Sequence, residues 1–256
     1  NLNDRVSNSC RETFFEKYLL TIFLAWKCSH CKFFKCFINF PVVGKIIQRI
    51  PVSGSFECHA KDLSFTYRAD KRDLVGRDIF WKGLPNFEPG TLEVLRRYID
   101  PETLFIDVGV NTGIYSLIAQ ALTVKNLIAF EPVPNIYRCL EQNLINTGKQ
   151  NFRALNAVAS SMNGTVDFHV PFGSVFATLG SMNSTGFRGM PGTMINVQSF
   201  AVDSIVSNAN DYKNIIVKID AEGFEPDVLR GMTDLLKRKS TVVIFECHAD
   251  GPKEEL

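Results

Sequence analysis

The sequence has almost no excess of charge. Its 28 Lys and Arg against 27 Asp and Glu leave a net +1, and a chain so balanced gives no electrostatic case for nucleic acid. It also lacks a long apolar run: YLLTIFLAW (Tyr18–Trp26) is nine residues, where a bilayer span needs about 20. Seven cysteines, odd in number and irregularly spaced, do not suit a secreted disulfide framework. They fit a reducing compartment, so a cytoplasmic setting is favoured. Cys28-x-x-Cys31, with His30 and Cys36, has no second pair of matching spacing, so no metal site is expected. There is no internal repeat, no low-complexity tract and no G-x-x-x-x-G-K-[ST], which removes a P-loop. The sequons at Asn163 and Asn183 are expected to be chance tripeptides.

What is present divides by character. Residues 1–50 hold no acid between Glu16 and Glu57 but carry Lys17, Lys27, Lys32, Lys35, Lys45 and Arg49 beside the aromatic cluster FFKCFINF (Phe33–Phe40). Three readings stay open for this segment: helices packed on the main domain, peripheral membrane contact through residues 17–50, or the remnant of a signal or anchor whose upstream part is missing. The sequence starts at Asn1 rather than methionine, so its start is not taken as the natural one. Residues 51–100 read as a lead-in, with SFECHA and LSFTYRA as a hairpin and LPNFEPGTLEVLRRYI as a loop feeding an amphipathic helix.

Residues 101–256 are regular. Four short apolar runs each end in an acid: TLFID (Asp107), NLIAFE (Glu131), NIIVKID (Asp220) and TVVIFE (Glu246). Such runs read as strands buried on both faces of a parallel sheet. Between them IYSLIAQAL, NIYRCLEQNLIN and EPDVLRGMTDLLKR read as helices. Strand alternating with helix predicts a doubly wound α/β fold that binds ligand at the carboxyl ends of its strands. The acids would make that rim anionic.

An anionic rim repels pyrophosphate. The turn DVGVNTG (Asp107–Gly113) has Asn111 where a dinucleotide site needs its second glycine. A ligand with an adenosine-like part, no phosphate and positive charge suits the turn better, and S-adenosylmethionine fits. Gly109 and Gly113 would permit close approach, and Asp107 or Asn111 would receive the methionine end. Glu131, 22 residues past Gly109, stands where a ribose-binding acid closes the next strand. Asn156 is counted with them as a cofactor contact.

The blocks DVGVNTG, AFEPVPNIYRCLEQN, KIDAEGFEPDVLRGM and IFECH, in that order, resemble the FkbM-type S-adenosylmethionine-dependent methyltransferases from about Phe87 to His248. The KIDAEG block with Glu225 and LRG is the most specific part. The resemblance implies a Rossmann-like fold of the class I methyltransferase type and O-methylation of a sugar or polyketide hydroxyl. It also implies Asp107, Gly109, Asn111, Gly113 and Glu131 as cofactor contacts. Val110, Thr112 and Ala221 depart mildly from the family pattern. Only CHADGPKEEL follows Glu246, so the sheet is expected to be short of the last two strands of that architecture.

Methyl transfer to a hydroxyl asks for alignment and a nearby base. Asp220, Glu222 and His248 are the candidates. His169 and His59 read as structural, and Lys218 as the partner of a carboxylate. Asp220 either works alone on the acceptor or shares a magnesium ion with Glu246, and the first is preferred. TVDFHVPF and MINVQSFAVDSIV read as strands flanking a polar loop whose Ser181, Asn183 and Arg188 could bond an acceptor. Asp203 is expected to cap a short helix. The acceptor is read as a small molecule or a glycan. The alternatives are an NAD(P)-dependent Rossmann oxidoreductase and a degenerate, non-catalytic cofactor-binding domain.

Overall fold

The computed structural model describes residues 48–172, 191–206 and 208–245. The chain divides between Ile50 and Pro51, and the described residues belong almost wholly to the second part. The basic segment at residues 17–50, apart from its last three residues, lies outside the described range, as do Ser181, Asn183, Arg188, Glu246 and His248. Among the described residues no helix is long and apolar enough to cross a membrane.

The lead-in opens with the expected hairpin: β1 (Gly54–Ala60) and β2 (Leu63–Ala69) pair antiparallel, Ala60 opposite Leu63. Alternation turns Cys58, Ala60, Leu63, Tyr67 and Ala69 inward. Helix α1 (Leu74–Lys82) follows, its N-terminus capped by Asp73, whose carboxylate accepts from the Gly76 N–H at 2.8 Å. This helix has no signature in the sequence pattern, because Gly76, Arg77 and Asp78 interrupt its apolar period. Gly76 is there for space: a Cβ would lie 2.6 to 2.8 Å from Asp73 Oδ2, the Tyr67 ring and Ala69. The segment LPNFEPGTLEVLRRYI becomes a 3-10 turn (Leu84–Asn86) and helix α2 (Pro89–Tyr98).

The central sheet is the doubly wound parallel one the sequence predicts. Its strands are β3 (Thr103–Val108), β4 (Asn126–Phe130), β5 (Phe152–Leu155), β9 (Asn214–Ile219) and β10 (Thr241–Phe245). They lie in the order β10–β9–β3–β4–β5, every neighbouring pair parallel. All six residues of β3 are buried, and so are all but the first of β4 and β9. Strand β5 went unread because FRAL is short and only partly buried. Among the described residues β10 is one edge of this sheet.

A second sheet of three strands, in the order β6–β8–β7, is built from β6 (Ala157–Ser160), β7 (Gly164–Pro171) and β8 (Gly192–Ala201). The latter two are the flanking strands expected from the sequence, paired antiparallel. Helices α3 (Ile114–Ala121) and α4 (Pro134–Asn146) are the crossovers after β3 and β4.

The third predicted helix is broken. EPDVLRGMTDLLKR forms α6 (Glu225–Arg230) and α7 (Thr233–Leu236), after the short α5 (Val202–Ile205). The break falls at Gly231, pressed so closely on β6 that a Cβ would lie 1.8 Å from the Ser160 carbonyl oxygen. Asp203 does cap a short helix, but not its own: its carboxylate accepts from the Asp234 and Leu235 N–H groups of α7, at 2.8 and 3.1 Å. Leu104, Ile106, Val108, Phe130, Ile215, Val217 and Ile219 meet Val228, Met232 and Leu235 in the core. Full burial of each such side chain contributes about 1.5–3 kcal/mol, and together they set the strand ends on which the site is built.

Candidate active site

The carboxyl ends of β3, β4 and β9 open into a cleft. Its floor is Gly109, Asn111, Glu131, Asp220 and Glu222, and its apolar wall includes Phe130, Val133, Val158, Phe168 and Phe224. Five sequence candidates thus line one cavity. Asp107, Gly113 and Asn156 support it from behind.

The turn after β3 is shaped by the protein's own packing. Gly109 has φ 70, and a Cβ there would lie 1.8 Å from the Asp220 carbonyl oxygen, so the ends of β3 and β9 can close only over a glycine. Gly113 has φ 100, and a Cβ would lie 2.8 Å from Leu140 of α4. The glycine spacing predicts room for a ligand, yet the chain's own packing requires both glycines. Asn111 is also left-handed, at φ 54, a conformation asparagine tolerates better than most residues.

Glu131 fastens this turn to the next. One carboxylate oxygen accepts from the Asn111 N–H at 3.0 Å and the other from the Val133 N–H at 2.8 Å. Asn156 completes the joint, its Nδ2 donating to the carbonyls of Glu131 and Pro132 at 2.8 and 2.9 Å. Burial pushes the Glu131 carboxyl up to about 7, although both N–H donors favour its charged form. Each oxygen keeps a lone pair for a further donor.

Asp107 lies inside β3, wholly buried, where the sequence placed it on an anionic rim. Its Oδ2 accepts from the Ser116 hydroxyl at 2.7 Å, and burial raises its carboxyl to about 6 against the pull of Lys218 and Ser116. The acids therefore do not form a uniform rim. Asp107 lies beneath the turn, whereas Glu131, Asp220 and Glu222 line the cleft.

Two buried side-chain oxygens here, Asp107 Oδ1 and Asn111 Oδ1, have no hydrogen-bond partner among the described residues. An unpaired buried polar group costs about 1–3 kcal/mol. Asn111 lines the cleft, so a ligand carrying an ammonium or hydroxyl donor would supply the partner its oxygen lacks. The apolar wall beside it suits a purine. The donor set thus fits S-adenosylmethionine.

Lys218 is paired with a carboxylate, as read: its Nζ lies 3.1 Å from Asp220 Oδ2 and 4.6 Å from the centroid of the Tyr115 ring. Burial works against its charge, but Asp220, Asp107 and Glu88 outweigh it and raise its pKa. The Tyr115 hydroxyl donates to Glu88. Glu225 holds the loop after β9, accepting from the Ala221 and Gly223 N–H groups. Sequence reasoning missed Tyr115 and Glu88, since nothing local links α3 to the lead-in. His169, on β7, is buried, and His59, on β1, is exposed; neither lines the cleft.

Residues 107–255 match the family model described as the methyltransferase FkbM domain. The chain is 29% identical over 162 residues to the hexuronic acid methyltransferase AglP of Haloferax volcanii, an alignment covering 63% of each protein. It also has a likeness to the crystal structure of a SAM-dependent methyltransferase from Agrobacterium tumefaciens. There the TM-score is 0.38 and the identity 11%, over 78% of this chain and 55% of that one. The chain thus spans less than two thirds of the length of either relative. With its matched region covering more than half of the sequence, this chain belongs to the FkbM methyltransferase family.

Proposed function

We propose that this chain is an S-adenosylmethionine-dependent methyltransferase acting on a hydroxyl of a glycan or small metabolite. The observation that carries the reading is the unpartnered Asn111 oxygen in a cleft that also presents Glu131 and an apolar wall. When bound, the cofactor supplies an electrophilic methyl group on a sulfonium. Asn111 would accept from its ammonium and Glu131 from its ribose hydroxyls. Phe130, Val133, Val158 and Phe168 would enclose the adenine and keep water out. Gly109, Gly113 and Asn156 shape the turns, and Asp107 sets the charge beneath them.

Asp220 is assigned to the acceptor, orienting its hydroxyl and taking its proton at a carboxylate oxygen. Lys218 occupies Oδ2, so the proton goes to Oδ1. Glu222, at φ 50 on the same loop, is assigned to acceptor contact. His248 stays a candidate base on sequence grounds. The name of the Haloferax volcanii relative puts hexuronic acids within the acceptor class. The test is transfer of labelled methyl from S-adenosylmethionine into fractionated glycan, lipid and small-molecule extracts. Incorporation into a glycan or small-molecule fraction, lost in Asn111→Ala, is expected; no incorporation into any pool would refute the proposal.

A further inference from the structure

A second cavity lies beside the cleft, lined by Glu88, Thr91, Lys218, Ile219, Ile244 and Phe245. Three features decide what it could hold. First, its base holds a cation: Lys218 is 3% exposed and is fixed by Asp220 and the Tyr115 ring. Second, Glu88 has a left-handed backbone, φ 39 and ψ 64, immediately before Pro89. A non-glycine residue is held there only when its surroundings require it, and such strain gathers at ligand sites. Third, both bonds to the Glu88 carboxylate, from Tyr115 and from Thr91 at 3.4 Å, fall on Oε2. Oε1 is left to accept from a ligand.

The lining is divided by chemistry. Glu88 and Thr91 present a carboxylate and a hydroxyl, while Ile219, Ile244 and the exposed Phe245 present apolar surface. A pyranose ring has the complementary division, with hydroxyls around its edge and C–H groups on its faces. Lys218 lines this cavity, and its partner Asp220 lines the cofactor cleft. The two carboxyl-end spaces therefore meet at that ion pair.

We infer that this cavity is a hydroxyl-recognising acceptor subsite for a sugar ring, with Glu88 and Thr91 as its specificity-determining residues. The inference rests on the methyltransferase reading above and deepens it. Both residues lie outside the region that matches the family model, so the lead-in selects the acceptor that the family domain methylates. A site built to bond a hydroxyl discriminates strongly against ligands without one, because its own polar groups are then left unpaired.

The test uses the full chain with S-adenosylhomocysteine and a panel of methyl hexopyranosides. Cofactor-product affinity is read by calorimetry and sugar contact by saturation-transfer NMR. The wild type is expected to bind both. Thr91→Val and Glu88→Gln should each weaken sugar binding about tenfold or more while leaving S-adenosylhomocysteine affinity unchanged, which also shows that the variants are folded. Sugar binding that is absent, or unaltered in both variants, while S-adenosylhomocysteine still binds would overturn this inference and leave the methyltransferase reading standing. Failure of the wild type to bind S-adenosylhomocysteine would overturn both.

Discussion

The hydroxyl of Tyr67, in the lead-in hairpin, is hydrogen-bonded to the hydroxyl of Thr112, in the turn after β3, across 45 residues of chain. Tyr67 spends its one proton on Asp73 Oδ2 at 2.7 Å, so Thr112 is the donor between the two hydroxyls. Asn143 of α4 reinforces the joint, accepting from the Arg68 N–H at 2.9 Å and donating to the Arg68 and Thr112 carbonyls. The turn after β3 is therefore held by a strand and a helix from different parts of the chain. Tyr67→Phe leaves Asp73 and Thr112 short of a partner, both of them buried. Stability should fall by about 1–3 kcal/mol in chemical denaturation, with weaker binding of S-adenosylhomocysteine. Unchanged values for both would remove Tyr67 from the support of the turn.

Gly109 should accept no replacement. Alanine there places a Cβ against the Asp220 carbonyl oxygen and takes on a left-handed backbone. Either β3 and β9 separate at their carboxyl ends or the turn unwinds. Gly109→Ala is expected to lose several kcal/mol of stability and all measurable cofactor binding. A variant that melts with the wild type would show that the strand ends have more freedom than their packing allows.

The buried acids make the pH dependence specific. The Asp107 and Glu131 carboxyls are raised in the fold to about 6 and about 7. Raised carboxyls bind more protons folded than unfolded, so their contribution to stability is complete below their ordinary unfolded pKa values. It is lost as pH climbs through 6 and 7. A ligand that brings an ammonium and ribose hydroxyls as donors has the opposite preference and favours the ionised forms. Affinity for S-adenosylhomocysteine should therefore rise between about pH 5.5 and 7.5 while the thermal stability of the free protein declines. Calorimetry in buffers of different ionisation enthalpy should detect proton release on binding. Affinity independent of pH over that window would show that neither acid senses the ligand.

Asp220, the proposed base, carries Lys218 as its paired cation. An ammonium 3.1 Å from Asp220 repels a divalent ion from the same carboxylate, which supports the preference for Asp220 acting without magnesium. Asp220→Asn should lower turnover by about 10²–10⁴ with cofactor affinity nearly intact, and a chelator should have little effect. Activity lost in EDTA and restored by magnesium would reverse this assignment. Normal turnover by the Asn variant would remove Asp220 from the chemistry.

The sequence carried those features whose causes are local. The buried strands were legible as apolar runs, the turn at Asp107–Gly113 as a glycine spacing after a strand, and the hairpin as alternation. Five residues of the cleft, Gly109, Asn111, Glu131, Asp220 and Glu222, were legible because doubly wound sheets gather such positions at their carboxyl ends. Strand β5 and helix α1 were not, since a four-residue strand with no fully buried position and an interrupted period leave no clear pattern. Only the tertiary structure decided that Gly109 answers to Asp220, that Asp203 caps a helix some 30 residues away and that Asp107 lies beneath the turn instead of on its rim. It alone joined Tyr67 to Thr112 and placed Glu88 against Tyr115 and Lys218. A periodicity reports what one segment buries, whereas these contacts depend on which segments are packed together, and neither partner carries a local signal of the other.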